Sequence, residues 1–283
     1  MVCSFINYLW SQSFAISNLD NSNPIKFNSS LIIFANQSFL NEDCNFQWKR
    51  GDLIGEGAFG SVYQAMLRTG GIIAVKQIEM EESNSKKAYN SIRKEVRILR
   101  DLDHINIVKF IGTMLEGRVV HIFMELISGG SIETLLKTFG PFEEDLFQNY
   151  TRQMMEGIEY IHSKNVVHRD IKGKNVMLMA NGVIKLIDFG CARQVIQQGS
   201  NSKEELLEKM YGTIHWMSPE MIREDGHGSK TDIWSCGCTV FEMVIRGVLK
   251  NSDCLFLMNF IYFFRPLVCH LGTNSNRLEP FTR

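Results

Sequence analysis

Four short stretches of this chain hold side chains suited to gripping a charged, phosphate-bearing ligand. Gly55-Glu56-Gly57-Ala58-Phe59-Gly60 places glycines where backbone N–H groups can approach an anion with no Cβ in the way. Alone this spacing is ambiguous, because it also marks a strand entering a helix around a dinucleotide. Here Val62 and Tyr63 continue in strand-like fashion, which favours a glycine-rich hairpin. Ala74-Val75-Lys76 then sets a lysine inside an apolar strand. A solvated edge strand is the plain home for a lysine, but an internal one needs an anionic partner. Glu95 shares a predicted helical face with Ile92 and Leu99 and is the partner of choice. His168-Arg169-Asp170-Ile171-Lys172-Gly173-Lys174-Asn175 and, after a predicted hairpin, Asp188-Phe189-Gly190 gather carboxylates, an amide and an ammonium. Carboxylate and amide oxygens are hard donors of the kind Mg2+ takes. Seen singly, His168-Arg169-Asp170 and Asp188-Phe189-Gly190 read more readily as turns than as functional segments. It is their order along one chain that argues for chemistry.

The elements that must position these residues fall into two groups. From Trp48 to about Glu125, β-branched runs alternate with turn signals, and Asp52–Ile54, Ser61–Ala65, Ile72–Ile78, Val108–Ile111 and Val119–Met124 read as strands. One helix interrupts them, roughly Ser85–Leu102, with Ile92, Val96, Leu99 and Leu102 on one face. After Gly129-Gly130 the pattern turns helical: Ile132–Thr138, Glu143–Ser163 with Leu146, Tyr150, Met154, Ile158 and Ile161 periodic, and Lys230–Arg246. A small β-rich lobe thus precedes a larger helical one, an α+β architecture hinged near Glu125–Ser128.

In that order and spacing the motifs resemble a serine/threonine protein kinase, and the resemblance covers residues 46–247. It is closest to the MAP kinase kinase kinase group. That narrower likeness rests on Phe46-Gln47-Trp48-Lys49-Arg50-Gly51, Phe123-Met124-Glu125-Leu126 with Ser128-Gly129-Gly130-Ser131-Ile132, His168 to Asn175, Gly212-Thr213-Ile214-His215-Trp216-Met217-Ser218-Pro219-Glu220, and Asp232-Ile233-Trp234-Ser235-Cys236-Gly237-Cys238-Thr239-Val240. It implies a bilobal protein kinase-like fold, with an N-lobe of about 46–126 and a C-lobe of about 127–247 whose last helices are missing. The implied cofactors are ATP and Mg2+. Asp170 would accept the proton of the substrate hydroxyl, with Lys172 directed at the transferred phosphate, a lysine that tyrosine kinases replace with another pattern. Asn175 and Asp188 would ligate Mg2+, and Glu95 would orient Lys76 toward the phosphates. The resemblance further implies a nucleotide site walled by Ile54, Gly55, Gly57, Gly60, Val62, Ala74 and Met177. Met124 would be its gatekeeper, and Glu125 and Ile127 would offer backbone groups to adenine. Phe189 would pack beneath the helix bearing Glu95, and Thr213 would contact the catalytic loop. The implied partner is a MAP kinase kinase, phosphorylated on serine or threonine.

Bulk properties narrow the setting. Among 283 residues, 30 Lys+Arg stand against 31 Asp+Glu, so no global charge favours nucleic acid or an anionic membrane. Seven cysteines without CxxC pairs suit reduced thiols in the cytoplasm. The apolar run Cys254–Phe264 is too short to span a bilayer, and no membrane span is expected. Oligomeric state has no signal. Residues 1–45, rich in Asn and Ser, read as a poorly ordered leader. Where related sequences carry a Ser or Thr four residues before the Gly-Thr threonine, this chain has Lys209, preceded by Glu204, Glu205 and Glu208; Ser200 and Ser202 are more distant phosphorylation candidates. Cys191, beside Asp-Phe-Gly, is a candidate for alkylation or a buried packing thiol. Beyond Gly247 the likeness stops, and residues 248–283 form a divergent apolar and polar tail. Glu220 then lacks its usual arginine partner, and the Lys230–Arg246 helix is expected to show much of its surface to water. A second class of function therefore stands beside the enzyme: an impaired kinase fragment acting as a binding module.

Overall fold

The structure is a computed structural model, and it describes residues 31–34, 47–57, 60–80, 85–194, 214–222 and 228–245. Six antiparallel strands form one sheet: β1 (Leu31–Phe34), β2 (Trp48–Gly57), β3 (Gly60–Leu67), β4 (Ile72–Glu79), β5 (Phe110–Glu116) and β6 (Val119–Glu125), in the order β1-β5-β6-β4-β3-β2. Helix α1 (Ser85–Arg100) lies between β4 and β5 in the chain. The helical part follows: α2 (Ile132–Phe139), α3 (Glu144–Ser163), strand β7 (Val166–Val167), the hairpin β8 (Val176–Leu178) and β9 (Ile184–Leu186), and β10 (Arg193–Gln194) paired with β7. A single turn α4 (Pro219–Ile222) and helix α5 (Ser229–Val244) complete the described residues. The α+β reading with a β-rich first half and a helical second half is the one observed.

Alternation along β4 shows how the sheet serves the cleft. Ile73 and Val75 join Ala65, Ile111, Met114 and Phe123 in a small outer core that Trp48 covers, its ring 5.4 Å from Phe123. Ala74 and Lys76 therefore project to the opposite face, the side of the main core. That core runs without a break from α1 (Ile92, Ile98, Leu99) through Ile122 and Phe189 to α3 (Met154, Ile158, Ile161) and α5 (Cys236, Met243). Each fully buried Ile or Leu there contributes roughly 1.5–3 kcal/mol, so the two halves are joined by packing as well as by chain.

Several elements depart from the sequence reading. Leu31–Phe34, within the expected poorly ordered leader, pairs with β5, Leu31 opposite Leu115 and Phe34 opposite Gly112. A strand was expected at Val108–Ile111, but β5 starts at Phe110. Ile107 and Val108 instead join β9, with the Val108 N–H on the Leu186 carbonyl at 3.0 Å. Leu146, expected on the periodic face of α3, is exposed, whereas Gln153 and Gly157 are buried on that helix. Nor does α5 turn much surface to water, since Thr231 to Met243 are all buried or half-buried. Glu220 has no ion-pair partner among the described residues. Among those residues too, no helix is long and apolar enough to cross a membrane. The Cys254–Phe264 run, Thr213, Ser200, Ser202, Glu204, Glu205, Glu208 and Lys209 lie outside them.

The link between the halves is short and close-fitting. Ser131 caps α2 by accepting the Thr134 N–H at 3.1 Å. Just before it, Gly129 donates to the Leu178 carbonyl at 2.8 Å, and a Cβ on Gly129 would lie 2.4 Å from that oxygen. Gly129→Ala should therefore push β8 from the linker and cost about 2 kcal/mol, read by urea denaturation. An unchanged midpoint would contradict the tight approach.

Candidate active site

Lys76 is fixed in β4 opposite Val62 of β3 and Ile122 of β6, in the middle of the sheet, and its side chain is buried. Its Nζ donates to Glu95 Oε1 at 2.9 Å and to Asp188 Oδ1 at 3.1 Å. Burial works against the Lys76 ammonium, but Glu95 and Asp188 outweigh it and hold its pKa above the ordinary lysine value. Burial raises the Glu95 carboxyl, with Lys76 opposing. Burial would raise Asp188 too, yet Lys76, helped by His168 and the Gly190 N–H, holds it below the usual carboxylate range. Asp188 adopts a left-handed conformation, φ 59°, and Phe189 beyond it is buried in a turn packed on α1, as the resemblance implied.

The loop carrying Asp170 hangs on one buried carboxylate. Asp232 of α5 accepts the His168 N–H at 2.8 Å, the Arg169 N–H at 2.8 Å and a contact from His162 Nε2 at 2.8 Å. These bonds hold Arg169 at φ 66°, a conformation a branched or long side chain rarely takes. The Arg169 Nε donates to the Cys191 carbonyl at 2.7 Å, joining this loop to the residues after Asp188. His168 Nδ1 accepts the Asp170 N–H at 3.3 Å, so its Nε2 carries the proton and donates to the Ile187 carbonyl at 3.0 Å. Lys172 Nζ sits 3.1 and 2.8 Å from the two oxygens of Asp170. Asn175 Nδ2 donates to the Asp170 carbonyl and to its Oδ2, each at 2.8 Å. With the amide nitrogen committed, the Asn175 oxygen is the atom left for a cation. Ile187 donates its N–H to the Asn175 carbonyl at 3.0 Å, which sets Asn175 beside the residue before Asp188. Two hard oxygen donors on adjoining backbone suit Mg2+, which takes few protein ligands and completes its shell from water and phosphates.

The residues expected to wall a nucleotide fall on β2, β3, β4, β6 and β8, with Ile127 just past β6. Gly55 pairs with Val62, and Gly57 with Gly60, across the β2–β3 turn. At Gly60, φ 127°, a Cβ would meet the Gln77 carbonyl at 2.2 Å, so only glycine fits. Ala74 pairs with Met124, and Glu125 ends β6 with Ile127 buried just beyond. Met177 of β8 bridges Ser131, and Ile54 remains half exposed on β2.

A comparison with family models matches residues 48–253 to the protein kinase domain. The chain belongs to the protein kinase domain family. Within that family it is similar to mitogen-activated protein kinase kinase kinases. It is 44% identical over 252 residues to the human kinase kinase kinase 19, covering 86% of this chain and 19% of the relative. It is 45% identical over 234 residues to the mouse counterpart, covering 81% of this chain and 18% of that protein. To the Dictyostelium discoideum kinase kinase kinase A it is 40% identical over 219 residues, 76% of this chain and 23% of that protein. The chain thus spans about a fifth of the length of these curated relatives.

In this kinase domain some supporting residues escaped the motif reading. Asp232 and Glu242 belong to the run that carries the narrower kinase likeness, but that likeness gives them no role; a charge recurring inside an apolar helix is the available signal. Lys185, three residues before Asp188, was not singled out. Cys191 is a buried thiol pushed up to about 11 by burial and by Asp170 and Asp188, which favours packing over alkylation. Glu242 Oε2 accepts both the Gly173 N–H at 3.0 Å and the Trp216 indole N–H at 2.9 Å, joining the catalytic loop to residues 214–216.

Burial raises the Glu242 carboxyl to about 7, against the pull of those two donors. Between the ordinary carboxyl value and about 7 the folded chain keeps a proton that the unfolded chain releases. Stability from this group is therefore full at acid pH and falls as pH rises through the window, by at most about 1.4 kcal/mol per unit. Because one oxygen takes both donors, an amide can replace it. Glu242→Gln should match the parent near pH 5 and exceed it by ~1–2 kcal/mol at pH 8 in urea denaturation. A parallel pH dependence in both proteins would contradict a buried titrating carboxyl.

Proposed function

We propose that this domain transfers the γ-phosphoryl group of ATP to serine or threonine hydroxyls of a protein substrate, and that the substrate is a MAP kinase kinase. The observation that supports the reading is a chain of hydrogen bonds: Lys76 to Asp188, Asn175 to Asp170, and Ile187, beside Asp188, to the Asn175 carbonyl. Lys76, held by Glu95, would engage the nucleotide phosphates. Mg2+, when bound by the Asn175 oxygen and Asp188, would supply neutralisation of phosphate charge. Asp170 would accept the proton of the incoming hydroxyl as its oxygen bonds to phosphorus and the bond to the bridging oxygen of the departing ADP breaks. Lys172, now on the Asp170 carboxylate, is within reach to follow the transferred group. Gly55, Gly57, Gly60, Ile54, Val62, Ala74, Met124, Ile127 and Met177 would enclose the nucleotide, with Glu125 and Ile127 offering backbone groups to the base.

The substrate class is supported by similarity to proteins named mitogen-activated protein kinase kinase kinases. A cytoplasmic setting belongs to the same proposal, supported by the reduced, buried thiols of Cys191 and Cys236.

The test is Mg2+-dependent transfer of labelled phosphate from ATP to an inactivated MAP kinase kinase. Asp170→Asn should lower kcat by at least ~100-fold, since it removes the proton acceptor, while ATP affinity stays close to that of the parent. Equal transfer by both proteins would remove the enzymatic reading.

A further inference from the structure

A buried charge lies beside the hinge, outside the set that would handle phosphate. Lys185 is the middle residue of β9, between the fully buried Ile184 and Leu186, and is itself 8% exposed. Its Nζ donates to the Ile107 carbonyl at 3.2 Å and pairs with Glu125 Oε1 at 2.8 Å. The same Glu125 oxygen accepts the Lys109 N–H at 2.6 Å, and the Glu125 N–H donates to the Lys109 carbonyl at 3.0 Å. One carboxylate oxygen thus ties together the end of β6, the run 107–109 and β9. That run is already stapled to β9, since the Val108 N–H reaches the Leu186 carbonyl at 3.0 Å and the Leu186 N–H reaches the Asn106 carbonyl at 2.8 Å.

Removing an ion pair from water is costly, and an apolar side chain of similar volume would fill such a site at least as well. What the pair adds is orientation. Glu125 is the last residue of β6, where the chain leaves the sheet for the helical half, and its side chain is held at two points while its backbone continues to Ile127.

We propose that Lys185 is a positioning residue for nucleotide recognition: through Glu125 it holds the peptide 125–127 in the conformation that receives the adenine base. The inference rests on the reading of Glu125 and Ile127 as base contacts. Without Lys185, the Glu125 carboxylate is free to turn to solvent and the hinge peptide must be ordered when nucleotide binds. The cost falls on the base-dependent part of affinity. The phosphate-dependent part, centred on Lys76 and Asp188, is left in place.

Calorimetric titration of the 283-residue chain in Mg2+, with ADP and separately with inorganic tripolyphosphate, tests this. Lys185→Met keeps an unbranched side chain without the charge, and Glu125→Gln keeps an acceptor for the Lys109 N–H while weakening the pair. Lys185→Met should lower ADP affinity about 5–10-fold and tripolyphosphate affinity less than about 2-fold, as ordering costs of one short peptide dictate. The KM for ATP should rise by the same factor as ADP weakens, with kcat changing less than about 2-fold. Glu125→Gln should show the same split at smaller size, and it decides the matter if Lys185→Met does not fold. Equal losses for both ligands, or undiminished ADP binding, overturn the inference and leave the kinase reading standing. Parent protein that binds neither ligand overturns both.

Discussion

A buried ammonium that must meet two carboxylates from distant parts of the chain governs the cleft. Lys76 reaches Glu95, 19 residues on, and Asp188, 112 residues on, at 2.9 and 3.1 Å. Neither carboxylate can be supplied by the strand that holds the lysine. Helix α1 has to lie against the sheet with Glu95 inward, and the residues after β9 have to rise to the same point from the helical half. A lysine in mid-sheet left unpaired would be costly to bury, so its pairing selects the arrangement in which both halves face one cleft. Phe189 packed on α1 and the core running from α1 to α3 supply the apolar part of the same closure.

The catalytic loop depends on a comparable device placed deeper. Asp232 and Glu242 are both buried on α5: Asp232 spends both oxygens on the His168 and Arg169 N–H groups, and one Glu242 oxygen accepts the Gly173 N–H. At Asp232 the carboxylate is the acceptor best able to hold the donors of the strained Arg169 segment away from water. Arg169 keeps a left-handed backbone because Asp232 takes its N–H, and Asp170 is aimed as a result. Helix α5 is thus a scaffold for chemistry that none of its own residues performs.

Much of this was legible in the residues. The glycine spacing, Lys76 with Glu95, the His168–Asn175 run and Asp188 stand out because their residue types recur at the local spacing of the kinase motifs. Helices α1, α2 and α5 were read within a few residues, since a buried face imposes a period. What escaped depends on partners far away in sequence. Leu31–Phe34 has no internal period and is a strand because β5 offers it an edge. Ile107 and Val108 look like strand residues but are recruited by β9. The Lys185–Glu125 pair joins positions 60 apart, and nothing in either neighbourhood announces the other. Leu146 sits on the periodic face of α3 near its start, yet lies exposed.

The claim on which the site stands is that Lys76 faces the phosphates of a bound nucleotide across from Asp188. An ATP derivative whose terminal phosphate carries a transferable acyl group tests it directly, because the acyl group passes only to an amine held against the phosphates. Peptide mapping should find the label on Lys76, suppressed by excess Mg·ATP. Label scattered over exposed lysines such as Lys137 and Lys164, indifferent to ATP, would contradict a nucleotide cleft built around Lys76.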